Sequence, residues 1–524
     1  MADNTEIQRR RTFAIIAHPD AGKTSLTEKL LLFGGQIQVA GAVKSNKIKK
    51  TATSDWMEIE KQRGISVTTS VMEFDYRDYK INILDTPGHQ DFAEDTYRTL
   101  TAVDSVIIVV DGAKGVETQT RKLMEVCRMR KTPVIIFVNK MDREGKDPFD
   151  LLDELEEELM IQVRPLSWPI EQGARFKGVY NIYEQKLDLY QPSKQMVTEK
   201  VEVDIHTEEL DQQIGKPLAD KLRGDLELIE GVYPELDVES YLAGDCAPVF
   251  FGSALTNFGI ETFLHHFLKM TSAPLPRESD QGVIDPVTGP FSGFIFKIQA
   301  NMNKAHRDRI AFMRICSGKF EAGMEVYHVQ GKRKQKLLQP QQVMAQSRSV
   351  IDEAYAGDVI GIFDPGTFSI GDTICAPGKK FQYAGIPTFA PEHFCRVVQT
   401  DTMKRKQFVA GITQIAQEGA IQIFKDYNLD LSEIIVGVVG VLQFDVLKYR
   451  MENEYNCEVR LDPLPYSQMR WVKDNGFNLD NLRRSSEIKK AKDMRDNPLL
   501  LFQNEWNVRM CLENNEGLEL EEVK

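Results

Sequence analysis

The chain has 524 residues, too many for a single hydrophobic core, so two to four domains are expected. Hydrophobic residues make up 42% and charged residues 27%, as in ordinary globular proteins, and no apolar run approaches the roughly 20 residues that a membrane helix needs. The formal net charge of −13 argues against a protein that coats RNA non-specifically, although local basic patches could still contact RNA.

The first part of the sequence alternates short β-branched runs with helical stretches. Strands are predicted at 12–17, 81–84, 106–110, 134–138 and 248–252, and helices at 25–32 and 260–270. This alternation predicts an α/β domain over residues 1–275, with a mostly parallel sheet and helices on both faces. A polar, acidic stretch near 163–245 is interpreted as an insertion into that domain.

The pattern changes after a segment at 271–290 that is rich in Pro, Ser, Asp and Gly and is interpreted as a linker. Strands of period two are predicted at 294–299, 308–316, 324–329, 358–363 and 372–375, which indicates an antiparallel β-barrel over 285–388. The remainder, 391–524, mixes strands with a long helix predicted at 441–455, as in a small α+β domain. The apolar run 434–442 is interpreted as a buried strand.

A phosphate-binding loop is predicted between the first strand and the first helix. Its residues are Ala17, His18, Pro19, Asp20, Ala21, Gly22, Lys23 and Thr24, with Ala17 where the pattern usually has Gly. Backbone N–H groups and the helix N-terminus would face the phosphate oxygens. Lys23 would contact the β- and γ-phosphates, and the Thr24 hydroxyl would bind Mg²⁺. Taken alone, the motif also fits an ordinary strand-to-helix turn that uses Gly22 for its geometry.

A second motif directly follows the strand at 81–84. It consists of Asp85, Thr86, Pro87, Gly88 and His89. A carboxylate at this strand end, beside the phosphate loop, would serve Mg²⁺ and its waters. Gly88 would let the backbone approach the γ-phosphate and then turn away. An Asp–Pro–Gly turn is common in isolation, but it does not require a phosphate loop upstream.

A third and a fourth motif predict which base is bound. Asn139, Lys140, Met141 and Asp142 follow the strand at 134–138, and Ser253, Ala254 and Leu255 follow the strand at 248–252. The Asp142 carboxylate can accept from guanine N1–H and from the 2-amino group, whereas adenine leaves it unpaired at a cost of roughly 1–3 kcal/mol or more. The fourth motif would donate a backbone N–H to the guanine 6-oxygen. Four motifs in this order at strand ends predict GTP binding.

The segment Arg63, Gly64, Ile65 and Ser66 lies between the first two motifs. On this segment and His89, the sequence resembles the translational GTPases, the family of elongation factors Tu and G, whose switch reads Arg-Gly-Ile-Thr. The resemblance implies that Ser66, in place of the family's Thr, binds Mg²⁺ and senses the γ-phosphate, with Thr68 as the alternative. Pro19 occupies the position of the family's hydrophobic gate. His89 stands where other GTPases carry the Gln that orients the attacking water, and it would be repositioned by the ribosome.

Over its whole length the chain resembles the termination factors of that family. The segments that carry this resemblance are 54–57 (SDWM), 63–70 (RGISVTTS), 98–102 (RTLTA) and 438–444 (VVGVLQF). The resemblance implies a ribosome-dependent GTPase with Mg²⁺ as cofactor and GDP and phosphate as products. It would promote dissociation of class I release factors from the ribosome after peptide release, without stop-codon specificity, and would be a monomer. Two other interpretations stay open: another ribosomal GTPase of the elongation or ribosome-protection type, and a non-translational switch GTPase.

The cysteines indicate the compartment. Seven of them are scattered from Cys127 to Cys511 without a CxxC pair, which argues against a disulfide framework or a zinc site. The charged N-terminal segment is not followed by an apolar stretch, so no secretory signal is expected. Both features predict a reducing, cytoplasmic location.

Overall fold

The computed structural model describes residues 2–35, 60, 66–189, 199–202, 204–233, 235–300, 309–344, 347–428, 434–483 and 488–524. Three residues of the predicted switch, Arg63, Gly64 and Ile65, lie outside the described residues, as does the segment 54–57.

The first domain contains eleven strands and nine helices among its described residues. The strands are β1 Arg10–Ala17, β2 Ser70–Tyr76, β3 Tyr79–Asp85, β4 Ser105–Asp111, β5 Val134–Asn139, β6 Gln162–Pro165, β7 Ser167–Ile170, β8 Gly178–Asn181, β9 Lys186–Leu189, β10 Glu199–Glu202 and β11 Cys246–Phe251. The helices are α1 Ala2–Gln8, α2 Lys23–Phe33, α3 Ala93–Leu100, α4 Thr118–Met129, α5 Pro148–Leu159, α6 Glu208–Ile214, α7 Lys216–Val232, α8 Val238–Ala243 and α9 Ile260–Met270.

A seven-stranded sheet in the order β2-β3-β1-β4-β5-β11-β6 forms the centre of this domain. Its β2–β3 pair is antiparallel and its other pairs are parallel. All eight residues of β1 are buried, because Phe13 and Ile15 pack into one core while Ala14 and Ile16 pack into the other. Burial on both faces requires helices on both sides of the sheet. The predicted mostly parallel α/β architecture is confirmed.

The stretch interpreted as an insertion contains its own sheet. Strands β7 to β10 form a four-stranded antiparallel sheet in the order β10-β9-β8-β7, and helices α6 to α8 follow it. Strand β6 pairs with β11 at the edge of the main sheet instead.

The second domain is an antiparallel β-barrel, as predicted. Its strands and the ribbon before it are β12 Arg277–Ser279, β13 Gly282–Ile284, β14 Ser292–Ala300, β15 Arg309–Ser317, β16 Lys319–Glu321, β17 Glu325–His328, β18 Arg333–Lys336, β19 Leu338–Met344, β20 Ser347–Val350, β21 Glu353–Tyr355, β22 Val359–Phe363 and β23 Thr373–Cys375. The segment interpreted as a linker holds the two-stranded ribbon β12–β13, so it is not wholly irregular.

The third domain has the predicted α+β composition. Its elements are β24 His393–Gln399, α10 Arg405–Gln417, β25 Gln422–Asp426, β26 Ile434–Val438, α11 Leu442–Asn453, β27 Val459–Pro463, β28 Gln468–Val472, β29 Lys489–Lys492, β30 Pro498–Phe502, α12 Glu505–Asn514 and β31 Leu520–Glu521. The buried strand expected at 434–442 is confirmed only over its first part, because β26 ends at Val438 and α11 begins at Leu442.

Buried polar contacts join the three domains. Arg10 of β1 pairs with Asp358 of the barrel at 2.8 Å, and both side chains are only 3% exposed. The Lys297 ammonium of the barrel lies 3.6 Å from the Asp95 carboxylate of α3 and donates to the Thr69 carbonyl. Arg98 of α3 donates to the Gly419 carbonyl of the third domain at 2.7 Å.

The seven cysteines are free and buried, two in the first domain, two in the barrel and three in the third domain. Within the described residues, no helix is long and apolar enough to cross a membrane.

Candidate nucleotide-binding site

Five strand ends meet at one edge of the main sheet. The last residues of β1, β3, β4, β5 and β11 are Ala17, Asp85, Asp111, Asn139 and Phe251. The carboxyl ends of parallel strands form the usual ligand crevice of α/β sheets. Four of these ends lead into the four predicted motifs, so the sheet topology brings the motifs to the same edge.

The phosphate loop depends on Gly22. Its φ of +101° is left-handed, and a Cβ at this position would overlap the side-chain amide of Asn139. Both constraints require glycine. In the part of the chain that the structure describes, no side chain caps the N-terminus of α2. The first N–H groups of this 11-residue helix can therefore bind an anion.

Asn139 connects two of the predicted motifs. Its amide nitrogen donates to the Ala21 carbonyl of the phosphate loop at 2.9 Å, and its amide oxygen accepts from the Ala254 N–H at 2.8 Å. The Asn139 side chain is buried, so both hydrogen bonds are protected from water. The motif that would recognise the base is thereby fixed against the loop that would bind the phosphates.

The remaining residues of the third and fourth motifs lie nearby. The Ser253 hydroxyl donates to the Asp142 carboxylate at 2.6 Å, and the Lys140 ammonium contacts the Asp20 carbonyl and the Asp111 carboxylate. Met141 is buried in a hydrophobic core cluster, so its side chain has a packing role, and its N–H donates to the Gly252 carbonyl. Ala254 is buried as well, whereas Leu255 is 64% exposed.

Lys23 and Asp85 form an ion pair that joins the first motif to the second. Thr86 is buried and its hydroxyl donates to the Ile15 carbonyl of β1 at 2.8 Å, which fixes the loop that follows β3. A Cβ on Gly88 would lie 3.7 Å from the Pro19 Cα, so the second motif passes directly over the phosphate loop.

The two histidines of the site face different neighbours. The His18 ring nitrogen Nε2 lies 3.3 Å from the Glu117 carboxylate. The His89 side chain is 32% exposed, and its Nδ1 lies 3.1 Å from the Asp91 carboxylate and 3.2 Å from the Asp91 N–H. His89 is also the residue that precedes the 3₁₀ turn Gln90–Phe92. Its ring is therefore oriented by the turn that follows the second motif.

The end of the predicted switch reaches the same edge of the sheet. Ser70 at the start of β2 pairs with Asp85, so the chain through Ser66 enters β2 beside the second motif. Thr68 lines a cavity of about 50 Å³ between the three domains, together with Lys297 and Glu418. Thr68 thus lies among interdomain residues, whereas Ser66 precedes the strand that runs beside the second motif.

Two side-chain oxygens at this edge of the sheet suit a nucleotide-bound Mg²⁺. No group of three or more His, Cys, Asp or Glu side chains that could hold a metal occurs in the described ranges. Mg²⁺ in nucleotide sites usually takes one or two side-chain oxygens and completes its coordination with phosphate oxygens and water. The Thr24 hydroxyl, next to Lys23, and the Asp85 carboxylate fit that requirement.

Three polar residues at this edge were not predicted from the sequence. Asp111 contacts Lys140, Glu117 contacts His18, and Asp91 contacts His89. Asp111 was detectable, because it follows a buried strand as the predicted motifs do. Asp91 lies in the 3₁₀ turn Gln90–Phe92 and Glu117 directly precedes α4, and neither has a comparable sequence signal.

Comparisons with known proteins agree with this geometry. Residues 8–273 match the elongation factor Tu GTP binding domain, residues 290–377 match elongation factor G domain 2, and residues 383–512 match the C-terminal domain of class II release factor RF3. The chain is 52% identical over 515 residues to peptide chain release factor 3 of Symbiobacterium thermophilum, covering 98% of this chain and 97% of the relative. It is 50% identical over 519 residues to the protein of that name from Streptococcus pneumoniae, covering 99% of each.

A solved structure has the same fold over most of the chain. The crystal structure of a Thermus thermophilus protein superposes with a TM-score of 0.71 and 19% identity, covering 93% of this chain and 72% of that one.

Proposed function

Because the chain belongs to the peptide chain release factor 3 family, we propose that it uses GTP hydrolysis to dissociate class I release factors from the ribosome after peptide release. The family is one of translational GTPases that act in termination. The observation that best supports the proposal is the convergence of the phosphate loop, Asp85, Asn139 and Asp142 at one edge of the sheet, since this arrangement suits a guanine nucleotide.

The phosphates would lie over the uncapped N-terminus of α2. The loop N–H groups would bind the phosphate oxygens, and Lys23 would exchange its contact with Asp85 for the β- and γ-phosphates. Asp142 would accept from the guanine N1–H and 2-amino group while it keeps the hydrogen bond from Ser253. The loop at Ser253 to Leu255 would donate a backbone N–H to the guanine 6-oxygen.

Thr24, Asp85 and Ser66 would serve a bound Mg²⁺ through their side-chain oxygens. When bound, the ion would neutralise charge on the phosphates. Ser66 would sense the γ-phosphate through its hydroxyl. Since Ser66 lies four residues before Ser70, which pairs with Asp85, a change at the γ-phosphate would reach β2 directly.

His89 would orient the water that attacks the γ-phosphate. Its ring contacts Asp91 rather than the phosphate loop, which is consistent with slow hydrolysis by the isolated protein and with activation by the ribosome. Hydrolysis would return the switch to the GDP state and release the protein from the ribosome.

The protein would act in the cytoplasm as a monomer, with the ribosome and class I release factors as its partners. The three domains would span 1–275, 285–388 and 391–524, with an insertion near 163–245.

Two assays test the proposal together. GTP turnover is measured with and without ribosomes, and the recycling of a class I release factor on peptide-releasing ribosomes is measured with and without this protein. We expect ribosomes to raise turnover and the protein to raise recycling at every stop codon that the class I factor reads. A protein that hydrolyses GTP on ribosomes without any effect on recycling would contradict the assignment to release-factor dissociation.

A further inference from the structure

The carboxylate of Asp91 lies between the proposed catalytic histidine and the third domain. One oxygen, Oδ1, is 3.1 Å from His89 Nδ1, and the other, Oδ2, accepts a hydrogen bond from the Leu442 N–H at 2.8 Å. Leu442 is the first residue of α11, a helix of 12 residues. Asp91 is buried, and a carboxylate at a helix N-terminus is favoured by the helix dipole. A single side chain thus connects the third domain to His89.

The third domain approaches Asp91 closely at Gly440. A Cβ on Gly440 would lie 2.5 Å from the Asp91 Cα and would meet the Asp91 side chain as well. The φ of Gly440 is outside the left-handed region, so the backbone conformation there does not require glycine. Glycine is required there by the close approach to Asp91.

The segment of the third domain that contacts Asp91 is held in place by its own helix. The Gln443 side-chain oxygen accepts hydrogen bonds from the Val439 N–H at 2.9 Å and from the Gly440 N–H at 3.0 Å. Beside this segment, Val67, Phe92 and Val446 form a buried apolar cluster that joins the end of the switch and the turn after His89 to α11. The contact with Asp91 is therefore part of a packed interface.

The polar contacts of His89 Nδ1 with Asp91 restrict the ring. When Nδ1 carries no proton it accepts from the Asp91 N–H, and when it is protonated it donates to Asp91 Oδ1. In either state the ring is bound to the turn that carries Asp91. The position of the Asp91 carboxylate is in turn set by Leu442.

We infer that Asp91 is a positioning residue for His89, and that docking of the third domain on Asp91 holds His89 in its resting orientation. A partner that moves α11 away from Asp91 would release the carboxylate and, with it, the histidine. This inference rests on the proposed role of His89 in orienting the attacking water.

Two variants weaken the contact from opposite sides. Asp91→Ala removes the carboxylate, and Gly440→Ala inserts a methyl group between the domains without touching the nucleotide site. Gly385→Ala is the matched control, because a Cβ there has no atom within 4 Å and the backbone is not left-handed. The readouts are single-turnover GTP hydrolysis without ribosomes, equilibrium GTP affinity and thermal unfolding of the full chain.

We expect Asp91→Ala and Gly440→Ala each to raise the ribosome-free hydrolysis rate about three- to tenfold, as the loss of one ordinary hydrogen bond implies. The GTP affinity should not change, and Gly385→Ala should behave like the wild type. Adding His89→Ala to either variant should remove the increase. If Gly440→Ala is unfolded at the assay temperature, the hydrolysis rate of Asp91→Ala is compared with that of the wild type instead.

The outcomes separate this inference from the proposed function. A ribosome-free rate that stays at the wild-type value in both variants, or a rise that persists without His89, overturns the role of Asp91. If His89→Ala instead retains full ribosome-stimulated hydrolysis, the assignment of His89 itself fails.

Discussion

The Lys23 ammonium is paired with the Asp85 carboxylate, and the side chains are 7% and 1% exposed. Each charge is the other's partner at the edge of the sheet. A buried ion that is left without its partner strongly destabilises the folded state. The lysine that is proposed to bind the phosphates should therefore also contribute to stability.

Lys23→Ala should abolish nucleotide-dependent ribosome binding and also destabilise the nucleotide-free protein, by about 3–5 kcal/mol, because Asp85 is left buried and unpaired. Thr24→Ala is the control: it should weaken nucleotide binding and leave the unfolding free energy of the free protein unchanged. Denaturant unfolding and a fluorescent GTP analogue measure the two effects. Undiminished GTP binding by both variants would count against the phosphate-loop assignment.

Asp142→Asn should weaken the binding of GTP and strengthen the binding of xanthosine triphosphate. The new amide N–H faces the 2-position of the base, where xanthine has an acceptor. Ser253→Ala removes the 2.6 Å hydrogen bond to Asp142 and keeps the carboxylate. It should lower the GTP affinity several-fold, about 1 kcal/mol, without changing the base preference. Competition titrations with both nucleotides distinguish the variants. A wild-type preference for GTP in Asp142→Asn would show that another residue reads the base.

His89→Ala should leave GTP affinity and GTP-dependent ribosome docking nearly unchanged, because the side chain is assigned only to the attacking water. Hydrolysis on the ribosome should fall by orders of magnitude, since water positioning contributes several kcal/mol at the transition state. The rate without ribosomes should change little. Single-turnover hydrolysis at saturating ribosomes, beside a nucleotide titration, gives the comparison. A parallel loss of hydrolysis and nucleotide binding would indicate a structural role for His89.

The contact between α3 and the barrel should weaken in acid. Burial alone would raise the pKa of the Asp95 carboxyl, but the charges of Lys297 and Arg98 and the hydrogen bonds from Thr69 outweigh it, and the pKa is lowered. A carboxyl whose pKa is lower in the folded protein than in the unfolded protein stabilises the folded state at pH values above its unfolded-state pKa. This stabilisation is lost as the pH falls through the folded-state pKa.

The melting temperature should therefore fall between about pH 5 and pH 3, the range around and below the ordinary Asp pKa. Asp95→Asn removes the titrating group and should show a smaller fall over the same range while being less stable near neutral pH. An identical pH profile for wild type and Asp95→Asn would exclude Asp95 as a source of the acid sensitivity.

The predictable part of the fold was the part in which periodicity and motifs coincide. The buried runs at β1, β3 and β5 each end at a predicted motif, so periodicity and motif indicated the same boundary. The end of the strand predicted at 434–442 was misplaced because the run is apolar throughout. Such a run does not distinguish a buried strand from the start of a helix. The strands β12 and β13 have three residues each, too short for a period to emerge.

The residues of the candidate site that belong to sequence motifs were predictable. The contacts that depend on tertiary packing were not. The positions of Lys23, Asn139 and Asp142 follow from strand ends. The contact of Asp91 with Leu442 joins residues 351 positions apart and depends on how the third domain docks. No local pattern around Asp91 indicates its partner.

The buried cysteines give each domain an internal reporter of unfolding. Burial raises the pKa of Cys127 in the first domain and of Cys375 in the barrel to about 12, and that of Cys511 in the third domain to about 11. Since the thiolate is the reactive form, these thiols are slow to alkylate in the folded protein. Timed alkylation followed by peptide mass spectrometry would therefore reveal the order in which the three domains open, in the native sequence and without any introduced label.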